Sequence, residues 1–208
     1  MFSRLIGKLR KKHARHVFRK KLKQLDANDI CIDCGANVGD ITYQFAARGA
    51  SVYAFEPDPL AFEHLQKRFL GSANVHLVNA AISTKAGRML LYRSSESVVD
   101  PTKISRSSSL LLEKTNVSTA NSVLVDVIDF IAFCTTLKAP IKILKMDIEG
   151  SEIELLESLT RNEGLLCRFE NIFVETHERK IPGTKNRILK LKQYFSARKR
   201  PYVNFYWR

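Results

Sequence analysis

A chain of 208 residues with 45% hydrophobic and 26% charged side chains is long enough for one well-buried domain. It is too short for two comfortable ones and too apolar for a disordered polymer. The formal charge of +13 suggests a polyanionic partner until the charges are located. Residues 1–24 hold ten Lys or Arg and no acid, residues 179–208 hold ten more and no acid, and residues 25–178 carry 14 basic against all 21 acidic side chains. Two cationic flanks on an acidic middle speak of partners, such as phosphate-rich lipid, an acidic glycan or RNA, more than of chemistry.

The first 25 residues predict a basic amphipathic helical extension, as one helix or two. Phe2, Leu5, Ile6 and Leu9 form one apolar stripe, whereas Val17, Phe18, Leu22 and Leu25 fall on a face rotated away from it near His13. The second half is expected to dock on the domain of residues 26–208. The first half would then be left to offer its basic face to a membrane surface, the alternative being that both halves pack on the protein.

After Asn28, strand and helix alternate. "ICIDC" reads as a strand, "DITYQFAARG" as a helix stopped by Gly49, "SVYAFE" as a strand, "PLAFEHLQKRFLG" as a helix, "NVHLVNAAIS" as a third strand and "RMLLYRS" as a fourth. A polar stretch from Ser94 to Ser122 predicts a flap over the site. Then come "VLVDVIDFIAFC" (strand end and helix), "IKILKMD" (buried strand), "SEIELLESL" (helix), "NIFVETH" (strand), "NRILKLKQYF" (basic helix) and "VNFYW" (closing strand). The fold class is α/β: a doubly wound, mostly parallel sheet with helices on both faces.

Cys31 and Cys34 stand three apart on a strand and so on opposite faces, where they cannot share a disulfide or a metal. With Cys134 and Cys167 they read as buried thiols in a reducing compartment. No window approaches the ~20 apolar residues of a membrane span, and the first residues make too short an apolar run for a signal peptide, so the expected location is cytoplasmic.

The turn "DCGANVGD", Asp33 to Asp40, follows the first strand, where doubly wound folds bind ligands. A dinucleotide loop would have a glycine where Asn37 stands, and a Walker loop would have Lys-Ser or Lys-Thr after Gly39. A tight turn with no polyphosphate cradle remains. Glu56 ends the second strand, 21 residues beyond Gly35, where a carboxylate can accept both hydroxyls of a ribose. A nucleoside site joined to a small, weakly anionic tail fits S-adenosylmethionine.

In this order, "DCGANVGD", "YAFEPDP", "NAAIS", "LKMDIEGSE" and "FVETH" resemble the FkbM-type S-adenosylmethionine-dependent methyltransferases, a Rossmann-like family. The resemblance runs from Asp29 to the end. It implies that Asp33, Gly35, Ala36, Asn37 and Gly39 cradle the methionine part of the cofactor, that Glu56, with Pro57 beside it, meets the ribose, and that Asn79 and Ala80 lie near the adenine. It also implies O-methylation of a hydroxyl on a glycan or small-molecule metabolite.

Methyl transfer to a hydroxyl needs an aligned oxygen and a group to take its proton. Asp147 and Glu149 end the strand expected beside the first, and Glu175 and His177 end the next. His177 is the first choice of base, since an ordinary imidazole titrates near 6.5, and Asp147 or Glu149 would orient the hydroxyl. These groups could hold a divalent cation, but their spacing does not compel one and no metal ligand is assigned. Glu152 and Glu154 read as first-turn helix acids without a catalytic role.

RNA methylation is the less favoured alternative. "DIEG" stands where base N-methylating enzymes carry Asn/Asp-Pro-Pro and an aromatic, and no cysteine nucleophile lies nearby, although ribose methylation stays open. A membrane-peripheral, non-catalytic protein on the same fold is the third reading.

Overall fold

The structure is a computed structural model and describes residues 2–94, 108–110, 117–177 and 181–207. The chain runs α1 (Phe2–Leu22), β1 (Ile30–Cys34), α2 (Asp40–Ala46), β2 (Ser51–Phe55), α3 (Pro59–Arg68), β3 (Val75–Val78), β4 (Ala81–Ser83), β5 (Gly87–Ser94) and β6 (Val117–Asp129). It continues through α4 (Phe130–Thr136), β7 (Ile141–Met146), α5 (Glu152–Thr160), α6 (Glu163–Leu166), β8 (Phe169–Val174), α7 (Lys185–Ser196) and β9 (Tyr202–Asn204).

Six strands form a sheet in the order β3-β2-β1-β7-β8-β9, parallel at every pairing. Strand order reverses between β1 and β7, so a crevice opens at their carboxyl ends. The period of two along each strand sorts its side chains between two cores. Ile32, Cys34, Leu144, Met146, Ile172 and Val174 pack with Phe130 of α4, Leu155 of α5 and Ile188 of α7, while Cys31, Val52, Ile143 and Phe173 pack with α1 and with Phe45 of α2. Cys31 and Cys34 therefore lie in different layers, and both are free thiols, as is buried Cys134. Cys167 departs from the expectation: it follows the short helix α6 and is exposed.

The basic extension is one continuous helix. Ala14, Phe18 and Leu22, four apart, are buried, whereas Ile6 and Leu9 are 38% and 58% exposed. The ring of Phe18 lies 4.0 Å from that of Trp207 and 5.0 Å from that of Phe173, so the helix's second half belongs to the same core as the sheet and the last strand's end. Burying one such phenylalanine contributes about 2–3 kcal/mol.

"NVHLVNAAIS" is not one strand but two. After β3 the Asn79 amide donates to the carbonyls of Glu56 (2.8 Å) and Pro57 (3.3 Å), and the chain turns off the main sheet there. β4 then joins a second, three-stranded sheet in the order β4-β6-β5, with β6 parallel to β4 and antiparallel to β5. Arg93 of β5 ties this sheet to the first by a two-point contact with Asp58 (2.7 and 2.9 Å), the residue whose carboxylate also caps α3. Much of the flap predicted over 94–122 lies outside the described residues. Ser109, which is described, exchanges two backbone hydrogen bonds with Tyr92, and β6 already begins at Val117.

Candidate active site

A cavity of about 490 Å³ occupies the crevice where strand order reverses. Gly35, Ala36, Asn37 and Val38 line one side, Phe55, Glu56 and Pro57 the next, then Ala80, Ala81 and Ile82. Lys145, Asp147, Glu149, Glu175 and His177 face them, with Leu91, Ser108 and Leu110 contributed by the second sheet and the connection after it.

The turn is shaped by close approach of main chains. The amides of Gly35 and Ala36 both donate to the carbonyl of Phe55, at 3.0 and 2.9 Å. Gly35 has φ +76°, and a Cβ there would sit 2.0 Å from the carbonyl oxygen of Asp147. Gly39 has φ +87°, begins α2 and packs where a Cβ would meet Phe69 at 2.5 Å. Its role is to seat the helix against α3. Asn37 is also left-handed, at φ +51°, a conformation asparagine tolerates better than most residues.

Glu56 is 2% exposed and still lines the cavity. One carboxylate oxygen accepts from the Asn37 amide (2.7 Å) and the other from the Asp58 amide (2.9 Å). The two amides fix the plane of this carboxylate at the cavity wall, where a ligand's hydroxyls could reach it.

Two expected cofactor contacts lie elsewhere. Asp33 is fully buried behind the turn, on the α2 side of β1, because alternation along the strand points it away from the crevice. Its carboxylate accepts from the Thr42 hydroxyl (2.7 Å) and pairs with Lys145 (3.0 Å), its register partner across β1 and β7. Asn79 fastens the turn after β3 through its own amide, and Ala80, Ala81 and Ile82 line the cavity there instead.

Lys145 was not legible as a site residue. Its side chain is 3% exposed, and its ammonium donates to the carbonyls of Cys34 (3.2 Å) and Gly35 (2.6 Å), which are the last strand residue and first turn residue of the glycine motif. It thereby holds the turn in place from below, and it stands 4.0 Å from Asp147.

The four residues chosen for chemistry all line the cavity, and three converge. The Nε2 atom of His177 lies 3.0 Å from Glu149 and 4.0 Å from Asp147, while its Nδ1 lies 3.0 Å from Glu152. Glu152 is in the first turn of α5, as its place in the sequence implied, but it faces the cluster. It is fully buried, accepts from the amides of Ile148 (2.9 Å) and Gly150 (2.8 Å), and uses what remains to orient His177. Glu154, two residues on, is exposed.

His177 departs from the ordinary imidazole invoked for it. Burial opposes its charged form, but the hydrogen bonds it donates to Glu149 and Glu152, together with their charges, outweigh burial and push its pKa up to about 10. At neutral pH this imidazole carries its proton, and it acts as a base only from the neutral form. The hydroxyl of Ser109 donates to the Glu149 carbonyl (2.8 Å), joining the described part of the connection to the cluster. Glu149 itself is left-handed, at φ +55°.

Neither a curated protein nor a solved structure matches the chain. A family model described as "Methyltransferase FkbM domain" matches residues 33–202, from the buried aspartate before the glycine turn to the last strand. The chain belongs to the FkbM-domain methyltransferases.

Proposed function

We propose that the methyl donor is S-adenosylmethionine and that the acceptor is a hydroxyl on a glycan or small-molecule metabolite. The observation that carries this is the combination, in one cavity, of a turn with no room for a side chain at Gly35 and the fixed carboxylate of Glu56. Gly35, Ala36 and Asn37 would hold the methionine part, Glu56 the ribose, and Ala80, Ala81 and Ile82 the adenine. When bound, the cofactor supplies a methyl group on a sulfonium that leaves as a neutral thioether.

The chain's own residues have three tasks. Glu56 orients the donor, and Lys145 keeps the turn against β7. Asp147 and Glu149 present carboxylate oxygens to the incoming hydroxyl from across the cavity, with Glu149 held by His177. A carboxylate that accepts the hydroxyl's hydrogen bond aligns its lone pair for attack and draws off its proton as the new C–O bond forms.

Isothermal calorimetry of the purified chain with S-adenosylmethionine tests the donor. One site per chain is expected, displaced by S-adenosylhomocysteine, and absence of binding heat overturns the reading.

We also propose a cytoplasmic enzyme held at an anionic membrane surface through residues 1–24. Among the described residues no helix is long and apolar enough to cross a membrane. The first half of α1 exposes Ile6 and Leu9 among Lys8, Arg10, Lys11 and Lys12. Co-sedimentation with vesicles rich in phosphatidylserine, but not with phosphatidylcholine vesicles, is expected, and it should weaken steeply when Lys8, Lys11 and Lys12 are changed to Glu. Equal partitioning to both vesicle types would remove the electrostatic anchor.

A further inference from the structure

Asp147, Glu149 and His177 each turn one ligand-type atom to a common point at the cavity edge. The three atoms lie within 4.8 Å of one another, with the imidazole nitrogen 3.0 Å from one carboxylate and 4.0 Å from the other. A cation with bonds near 2.1 Å places adjacent ligands about 3.0 Å apart and opposite ones about 4.2 Å apart, so little movement is needed to enclose it.

The surroundings favour a cation. Glu152 grips the Nδ1 side of His177 while its own oxygens are held by two backbone amides. That leaves Nε2 aimed at Glu149 and Asp147. A carboxylate behind a histidine, fixing which nitrogen faces the ion, is the usual outer support of a metal-binding imidazole. All three donors line the cavity, where an acceptor's oxygens could complete the coordination.

The geometry points to a divalent-cation site formed by Asp147, Glu149 and His177, oriented by Glu152, that takes a first-row transition ion such as Mn²⁺ and binds the acceptor hydroxyl. One nitrogen and two carboxylate oxygens suit that ion class better than Ca²⁺, which needs six to eight oxygens. This rests on the methyl-transfer reading for its role. There the cation would lower the hydroxyl's pKa and let a nearby carboxylate take the proton.

Mn²⁺ alone, titrated into the full-length protein, gives a test independent of turnover. Loss of the free-ion electron paramagnetic resonance signal should show one ion per chain, and pulsed measurements should show coupling to an imidazole nitrogen. Asp147→Asn and Glu149→Gln should each weaken binding tenfold or more, His177→Gln should remove the nitrogen coupling, and Glu152→Gln should weaken binding about 10- to 100-fold with the coupling retained. Glu154→Gln on the exposed face of α5 should change nothing. Circular dichroism identifies any variant that fails to fold, in which case the wild-type nitrogen coupling decides.

A free-ion signal undiminished by stoichiometric protein, or bound Mn²⁺ without nitrogen coupling, overturns the site. A protein that binds S-adenosylmethionine but not Mn²⁺ loses this inference and keeps the methyl-donor reading. One that binds Mn²⁺ with nitrogen coupling but no S-adenosylmethionine does the reverse.

Discussion

Changing Glu56 to alanine should weaken S-adenosylmethionine binding by a factor of about 100 or more while leaving the chain folded. The carboxylate is nearly inaccessible to solvent, lines the cavity and is oriented by the amides of Asn37 and Asp58. Hydrogen bonds from two ribose hydroxyls to a charged acceptor contribute about 1.5 kcal/mol or more apiece, and together they correspond to two decades in affinity. Glu56→Gln keeps the shape and one acceptor oxygen but loses the charge, and it should fall between wild type and alanine.

A cofactor analogue lacking both ribose hydroxyls separates contact from turn support. If Glu56 acts through the ribose, the analogue already binds wild type poorly and loses little more in the variant. Affinity within threefold of wild type in Glu56→Ala, measured by calorimetry, would sink the ribose assignment. An analogue that loses as much as the parent would instead assign Glu56 to support of the turn.

The position of Glu56 at the cavity was legible because it follows from chain length alone: a strand, a short helix and a second strand place an acid at the end of β2 beside the end of β1. The carboxyl-end location of Asp147, Glu149, Glu175 and His177 was legible for the same reason, since parallel strands end together. What escaped was orientation. Asp33 belongs to a strand of the site but points behind it, and its pairing with Lys145 depends on a β1–β7 register set by residues more than a hundred positions apart.

Glu152 escaped because an acid in the first turn of a helix is ordinarily solvated. Its burial comes from the loop of Asp147 to Ser151 folding over it, a tertiary event with no local signature. The second sheet was hidden for a related reason. Between Val75 and Ile82 only His76 and Asn79 interrupt the apolar run, and the partners of the Asn79 amide are carbonyls at a distant strand end. Periodicity reports which face a residue prefers, and the partner that fixes it is supplied by the fold.

Gly35→Ala should be the most damaging single-methyl change in the turn. Two costs combine. A non-glycine residue at φ +76° pays about 1–2 kcal/mol of backbone strain, and the added Cβ would stand 2.0 Å from the Asp147 carbonyl oxygen and 3.0 Å from its carbon, both main-chain atoms. The neighbour cannot rotate aside. β1 and β7 must separate where Lys145 bridges them and where Asp147 enters the cavity, an overpacking cost of about 1–3 kcal/mol more.

Gly71→Ala isolates the first cost, because Gly71 has nearly the same φ, +80°, but has nothing within 4 Å of the would-be Cβ. For a chain of this size each kcal/mol lowers Tm by about 2–4 °C. Gly71→Ala should therefore lose only a few degrees and keep full cofactor affinity, and Gly35→Ala should lose roughly 10 °C with no stabilisation on adding S-adenosylmethionine. The readout is thermal unfolding with and without the cofactor. Equal losses in the two variants would mean that the contact between the turn and β7 yields easily, and the close approach would no longer explain why glycine stands there.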